Sequence, residues 1–221
     1  MSEDTLPQRL QAIQGRIPSP VRLVCVTKQV PIPVIRQAYA LGLRDFGENR
    51  VQEAQVKAQA LADLPDITWH LIGHLQSNKA RAALQLFPWI HSVDSLAIAQ
   101  KLDQLNQTLA QPAQLLLQVK LRPDPQKYGW TVPELHAALP ALSQLQHVKI
   151  VGLMTILPLG LSPGERQHLF SELPALGAQL QPHLPLREYS MGMSDDYPQA
   201  LAAGATMIRL GRGLFGERPL P

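Results

Sequence analysis

Arg22-Leu-Val-Cys-Val-Thr-Lys28 is followed, past Pro31, by the amphipathic run Pro33-Val-Ile-Arg-Gln-Ala-Tyr-Ala-Leu41. A short apolar β-rich segment, a polar break and a helix-period segment make one strand-and-crossover unit. The same alternation recurs along the chain. Strands are predicted over 22–27, 44–47, 68–72, 89–93, 114–121, 149–155, 187–190 and 207–210. Helices are predicted over 33–41, 51–62, 80–87, 97–109, 132–145, 163–180 and 197–203. Eight strands alternating with helices give an α/β chain that closes as a (β/α)8 TIM barrel. An additional helix over 5–17 precedes the first strand and could cover the barrel bottom or the gap left after the eighth strand. At 221 residues and 45% hydrophobic content, with no linker-like stretch, the whole of 1–221 is expected to form a single domain. The 20 prolines fall mostly in connections or near helix starts, as Pro31, Pro33, Pro133 and Pro163 do.

In such a barrel the carboxyl ends of the strands converge on one mouth, where chemistry is sought. Lys28 ends the first strand, Asn49 follows the second, and His70, Gly73 and His74 follow the third. Met154 and Thr155 end the sixth, Ser190 and Gly192 the seventh, Arg209 and Gly211 the eighth. Strand alternation puts Val24, Val26 and Lys28 on one face, and Met207, Arg209 and Gly211 on another. If both faces point inward, an amine and a guanidinium meet where strands one and eight adjoin. Ser190-Met-Gly-Met-Ser194 and Gly211-Arg212 add hydroxyls and small residues after strands seven and eight, the usual phosphate position of this fold. Asp195 or Asp196, just before Tyr197, reads as a helix cap beside them. An amine facing a phosphate cradle suggests pyridoxal phosphate. Arg209 would then donate to the ring nitrogen and leave it unprotonated, a poorer sink for carbanion electrons, which disfavours transamination through a fully developed quinonoid but leaves racemisation or simple holding open.

Other classes find less support. The formal charge of +3 comes from scattered Lys and Arg, which argues against nucleic acid. Cys25 is a single cysteine on a predicted strand, so it reads as a core residue in a reducing cytoplasm. The amino terminus lacks an export signal and no run of eighteen apolar residues occurs, so no membrane association is expected. His70 and His74 are four apart, but the residues between them lack the glutamate of a zinc helix, so no metal is assigned.

With these residues in hand, the chain resembles the pyridoxal phosphate homeostasis protein family of YggS/PROSC type, relatives of the alanine racemase barrel. The resemblance spans nearly the whole length. It rests on Val26-Thr-Lys28, Asp45-Phe-Gly-Glu-Asn-Arg-Val-Gln-Glu53, Trp69-His-Leu-Ile-Gly-His-Leu-Gln-Ser-Asn-Lys79, Gly152-Leu-Met154, Ser190-Met-Gly-Met-Ser194 and Ile208-Arg-Leu-Gly211. It implies a barrel of PLP fold type III without the C-terminal β domain of the racemases. It implies pyridoxal 5'-phosphate covalently bound to Lys28 as an internal aldimine, with Arg209 at the ring nitrogen. Ser190, Gly211 and Arg212 would contact the phosphate, and Asn49, Met154 and Ser194 would line the site. The implied role is cytoplasmic vitamin B6 homeostasis and cofactor supply, affecting amino-acid and keto-acid balance, with no catalytic residues and no turnover. Other B6 vitamers and transient acceptor apoenzymes are the implied partners, and a monomer is expected. The chain ends at Pro221, before the domain from which racemases draw a tyrosine acid/base on the second cofactor face. The rivals are a small amino-acid racemase using His74, Lys79 or Tyr128 as second base, a phosphosugar aldolase acting through Lys28, and a non-catalytic interaction protein.

Overall fold

A computed structural model describes residues 5–216; the outer ends of the expected 1–221 domain lie outside the described residues. The strands are β1 (Arg22–Val26), β2 (Asp45–Glu48), β3 (Thr68–Leu71), β4 (Trp89–Val93), β5 (Gln114–Gln118), β6 (Lys149–Met154), β7 (Glu188–Ser190) and β8 (Met207–Leu210). They close into a barrel in sequence order, each pair parallel, with β8 hydrogen-bonded back to β1. The helices are α1 (Leu6–Gln14), α2 (Ile32–Ala40), α3 (Val51–Ala60), α4 (Ala80–Leu86), α5 (Leu96–Asn106), α6 (Val132–Leu142), α7 (Pro163–Leu180), α8 (Tyr197–Ala202) and α9 (Arg212–Phe215). The sequence therefore predicts the architecture observed, and β4, β8 and α7 have the predicted bounds.

Local chemistry explains the boundaries. Thr131 with Glu134 and Ser162 with Glu165 form capping boxes that start α6 and α7, with prolines in the first turn of each. The expected fifth strand over 114–121 is too long. The Val119 amide still donates to the Met154 carbonyl of β6 at 2.8 Å, but Val119 bridges to Trp130 and the Lys120 amide donates to the Trp130 carbonyl, so from there the chain pairs with the returning segment instead. The short α9 was not foreseen, because a four-residue turn of helix carries no period. It matters for closure: Arg9 on α1 donates from Nε to the Leu214 carbonyl at 2.9 Å, so the additional helix packs on α9 and fills the gap after the eighth strand.

Two apolar layers hold the barrel. The larger lies between strands and helices and includes Cys25, Phe46, Leu115, Leu117, Phe170, Ile208 and Leu210. The smaller plugs the interior and comprises Trp89, Leu116, Val151, Met154 and Met207. Where β6 meets β7, a Cβ on Gly152 would collide with the Glu188 carbonyl, so only glycine lets these strands close the wall.

Candidate functional site

The expected inward phase of β1 and β8 is the observed one. Val26, Lys28, Arg209 and Gly211 line one cavity of about 460 Å³ at the mouth, together with Met193, Ser194, Asp195, Arg212 and Gly216. Lys28 is half-buried in the turn after β1. After β7, Gly192 has φ +91° and leaves no room for a Cβ against Ala200, so the loop there can fold down over α8. The Gly213 amide donates to Ser194 Oγ at 3.0 Å, tying that loop to α9. Arg212 pairs with Asp195 at 2.5 Å on the cavity rim. Asp196 does occupy the N-cap position of α8, yet its carboxylate accepts from the Met193 amide at 2.6 Å rather than from the helix. The expected side-chain cap is thus replaced by a bond that shapes the loop.

Arg209 is the unusual member. It is almost fully buried, and its Nη1 and Nη2 donate to Ser190 Oγ at 2.7 Å and the Thr155 carbonyl at 2.9 Å, both neutral oxygens. Burial pushes its pKa down to about 10, with the charge of Asp196 opposing the shift, so it remains a cation at neutral pH. Two of the five guanidinium N–H groups are engaged in this way, and the side chain fronts the cavity.

Beneath Arg209 a chain of polar side chains crosses the barrel. His91 Nδ1 meets Ser190 Oγ at 2.8 Å, His91 Nε2 meets His70 Nδ1 at 3.0 Å, and His70 Nε2 meets Asp45 Oδ1 at 2.9 Å. Burial lowers the pKa of His70, against the pull of Asp45. It lowers that of His91 well below the ordinary value, since a proton on either histidine would oppose one on the other and the charges of Arg209 and Arg22 act in the same direction. Both rings are therefore neutral, and the directions of the bonds follow. The Asp45 carboxylate only accepts, so His70 carries its proton on Nε2 and offers a bare Nδ1. His91 must then donate from Nε2 and accept at Nδ1, which obliges the Ser190 hydroxyl to donate to it. Ser190 Oγ is left as an acceptor for Arg209.

Of the residues the sequence singles out, Lys28, Ser194, Arg209, Gly211 and Arg212 come together around this cavity. Ser190 and Met154 are fully buried below it, the first in the polar chain and the second in the interior plug. Asn49 lines a second recess of about 470 Å³ with Arg50, His74, Lys79 and Tyr128. His70 and His74 have unrelated surroundings: His74 stacks on Tyr128 at 3.6 Å and meets Asp94 at 2.7 Å. Among the described residues no group of three or more His, Cys, Asp or Glu side chains could hold a metal ion, and no helix is long and apolar enough to cross a membrane. Cys25 is fully buried and its pKa is pushed up by burial, as for a core thiol. Sequence reasoning missed His91 and Asp45. The signal for His91 was present: it shares the phase of Trp89, an interior residue, and a histidine on an interior face needs partners.

Against known proteins, a family model described as the alanine racemase N-terminal domain matches residues 1–219. The pyridoxal phosphate homeostasis protein of Synechocystis sp. is 56% identical over 214 residues, covering 96% of this chain and 98% of the relative. The structure of PipY from Synechococcus elongatus with PLP bound superposes with a TM-score of 0.92 at 53% identity, covering 96% of this chain and 100% of PipY. An alanine racemase of Clostridium difficile, 15% identical with a TM-score of 0.74, shares the fold over 97% of this chain and 60% of its own length.

Proposed function

The chain belongs to the alanine racemase N-terminal domain family and, within it, to the pyridoxal phosphate homeostasis proteins, and on that premise we propose how its own residues hold the cofactor. It is a PLP-binding protein of vitamin B6 homeostasis. The observation that carries the site assignment is Arg209: a buried guanidinium with neutral acceptors only, fronting the cavity that Lys28 also lines. A buried cation with no ion pair among the described residues suits a ligand that brings an acceptor to it. The donor set fits PLP, since an amine, hydroxyl and backbone groups and a second guanidinium surround a space of adequate size. When bound, PLP supplies an aldehyde and an electron-withdrawing ring.

In this reading Lys28 is the covalent anchor, condensing with the aldehyde and releasing water. Arg209 donates to the ring nitrogen. Ser194, Gly211 and Arg212 hold the phosphate. Ser190 acts through Arg209, whose Nη1 it accepts, and Met154 floors the interior below. Asn49 lines the other recess rather than this cavity and is given no contact to the cofactor in this reading. The protein holds and releases the cofactor without turnover of its own. Two features support this. Arg209 donates hydrogen bonds but keeps its proton, so the ring nitrogen stays uncharged and a poor electron sink. His74, Lys79 and Tyr128, the side chains a racemase would use as second base, line the other recess. Other B6 vitamers and transient acceptor apoenzymes are the partners of the same reading. The chain acts as one domain and as a monomer in the cytoplasm.

The test is the visible spectrum of purified protein mixed with PLP, before and after borohydride, with Lys28→Ala alongside. A yellow band abolished by borohydride and missing in Lys28→Ala supports the anchor. No band in the native protein overturns it. Steady racemisation of an amino acid that Lys28→Ala abolishes would replace the holding role with an enzymatic one.

A further inference from the structure

The signature Asp45-Phe-Gly-Glu-Asn-Arg-Val-Gln-Glu53 contains two glutamates that the cofactor cavity leaves unexplained. Glu48, at the end of β2, points outward toward α3, where Lys57 is itself buried. The three protons of the Lys57 ammonium have three acceptors: Glu48 Oε1 at 2.8 Å, Glu53 Oε1 at 2.6 Å and the Thr27 carbonyl at 2.6 Å. The Glu53 oxygen also accepts the Gln29 amide at 2.6 Å, and Thr27 Oγ1 donates to Glu48 Oε1 at 2.6 Å. Thr27 and Gln29 are the two neighbours of Lys28. Gln29 has φ +59°, the one left-handed non-glycine residue among those described.

A bridge serving only to fasten α3 to the barrel would need Glu48 and Lys57 alone. The additional bonds go to the backbone on either side of Lys28, and they stabilise a turn that an unassisted chain avoids. That left-handed step lets the chain swing out to α2 while Lys28 keeps the inward phase of Val24 and Val26.

We propose that Lys57, Glu48 and Glu53 form a clamp on the turn 27–29 that presents the Lys28 amine to the cavity in one orientation. They are positioning residues, and the proposal rests on the reading of Lys28 as the covalent anchor. Fixed geometry is what condensation with an aldehyde requires, whereas non-covalent holding of the ring and phosphate does not need it. Two ligands therefore separate the effects: PLP, and pyridoxine 5'-phosphate, which lacks the aldehyde.

The experiment uses the full cofactor-free chain, native and with Glu53→Ala, which leaves Lys57 its bonds to Glu48 and Thr27 and so preserves the fold. Formation of the yellow band with PLP is expected to slow or weaken at least about tenfold in Glu53→Ala, as for loss of a hydrogen bond to a charged group. Affinity for pyridoxine 5'-phosphate should change less than about twofold, because its contacts are elsewhere. Glu53→Gln keeps an oxygen for the Gln29 amide and should recover most of the loss. Equal weakening of both ligands, or an unchanged rate of band formation in Glu53→Ala, overturns the clamp. Amide exchange at Gln29 supplies a readout without any ligand: protection in the native chain and its loss in Glu53→Ala support the clamp, and equal exchange in both overturns it. Native protein that forms no band while Gln29 shows this difference would locate the failure in the role of Lys28, not in the clamp.

Discussion

Replacing Ser190 with alanine removes one oxygen from the centre of the buried polar chain and should destabilise the protein by about 3 kcal/mol. The magnitude follows from the geometry. Ser190 Oγ accepts from Arg209 at 2.7 Å and meets His91 Nδ1 at 2.8 Å, and the serine is fully buried. Losing the first leaves a charged N–H unsatisfied, roughly 1.5–3 kcal/mol, and losing the second strands a neutral nitrogen, roughly 1 kcal/mol. A domain of this size holds about 5–15 kcal/mol in total, so the variant still folds. Its melting temperature should fall by about 6–12 °C. Urea unfolding of the cofactor-free chain measures the loss as a shift in midpoint at constant slope. Ser92→Ala is the internal control, since Ser92 Oγ makes one hydrogen bond, to the Gly73 carbonyl at 2.6 Å, and should lose only about 1 kcal/mol. If Ser190→Ala loses no more than Ser92→Ala, the chain from Arg209 to His91 is not held as described.

The directions assigned to the polar chain predict nitrogen NMR signals for His70 and His91 of Nε2-protonated neutral rings at pH 7.5; an Nδ1-protonated or imidazolium signal from either ring at that pH would refute the assignment. Both folded values lie below the ordinary 6.5, so the unfolded chain takes up protons first as pH falls through that range. Stability should then fall as pH drops through the ordinary histidine range, and unfolding midpoints that do not fall there would contradict the neutral, buried rings. Gly152→Ala should destabilise by about 3 kcal/mol or more, because the added methyl meets the Glu188 carbonyl in the barrel wall; wild-type unfolding midpoints would show that the wall can yield. Sedimentation equilibrium should return a monomer, since the exposed large apolar residues Leu41, Val56, Tyr128, Leu159 and Met193 sit on separate elements and loops.

The barrel is legible because its signal is repetition: eight short apolar runs, the first seven each followed by a helix-period segment, survive boundary errors of a residue or two. Lys28 and Arg209 were legible for a related reason, since strand alternation fixes which face each occupies and the strand order fixes that they adjoin. Pairings across the barrel were not. That His91 meets both His70 and Ser190, 21 and 99 residues away, depends on barrel stagger and on the register shifts flanking β5, which no local pattern encodes. The end of β5 is overread for a similar reason: Val119 and Leu121 continue an apolar alternation, but after the Val119 amide, which still bonds to Met154, the Lys120 amide turns to the segment at Trp130.

The buried polar chain is difficult to understand as a device for stability. It enlists β2, β3, β4, β7 and β8 through Asp45, His70, His91, Ser190 and Arg209. Burying these groups costs desolvation that an apolar filling like the neighbouring Trp89, Leu116 and Val151 plug would avoid. Each member does, however, remove a freedom from the next. The carboxylate fixes the His70 tautomer, His70 fixes His91, His91 turns the serine hydroxyl, and the serine oxygen thereby faces the guanidinium. A barrel built only to fold gains nothing from that sequence of constraints. One that must hold a charged donor at its mouth, aimed at an incoming acceptor and unable to rotate away when the cavity empties, gains the orientation of Arg209 before any ligand arrives.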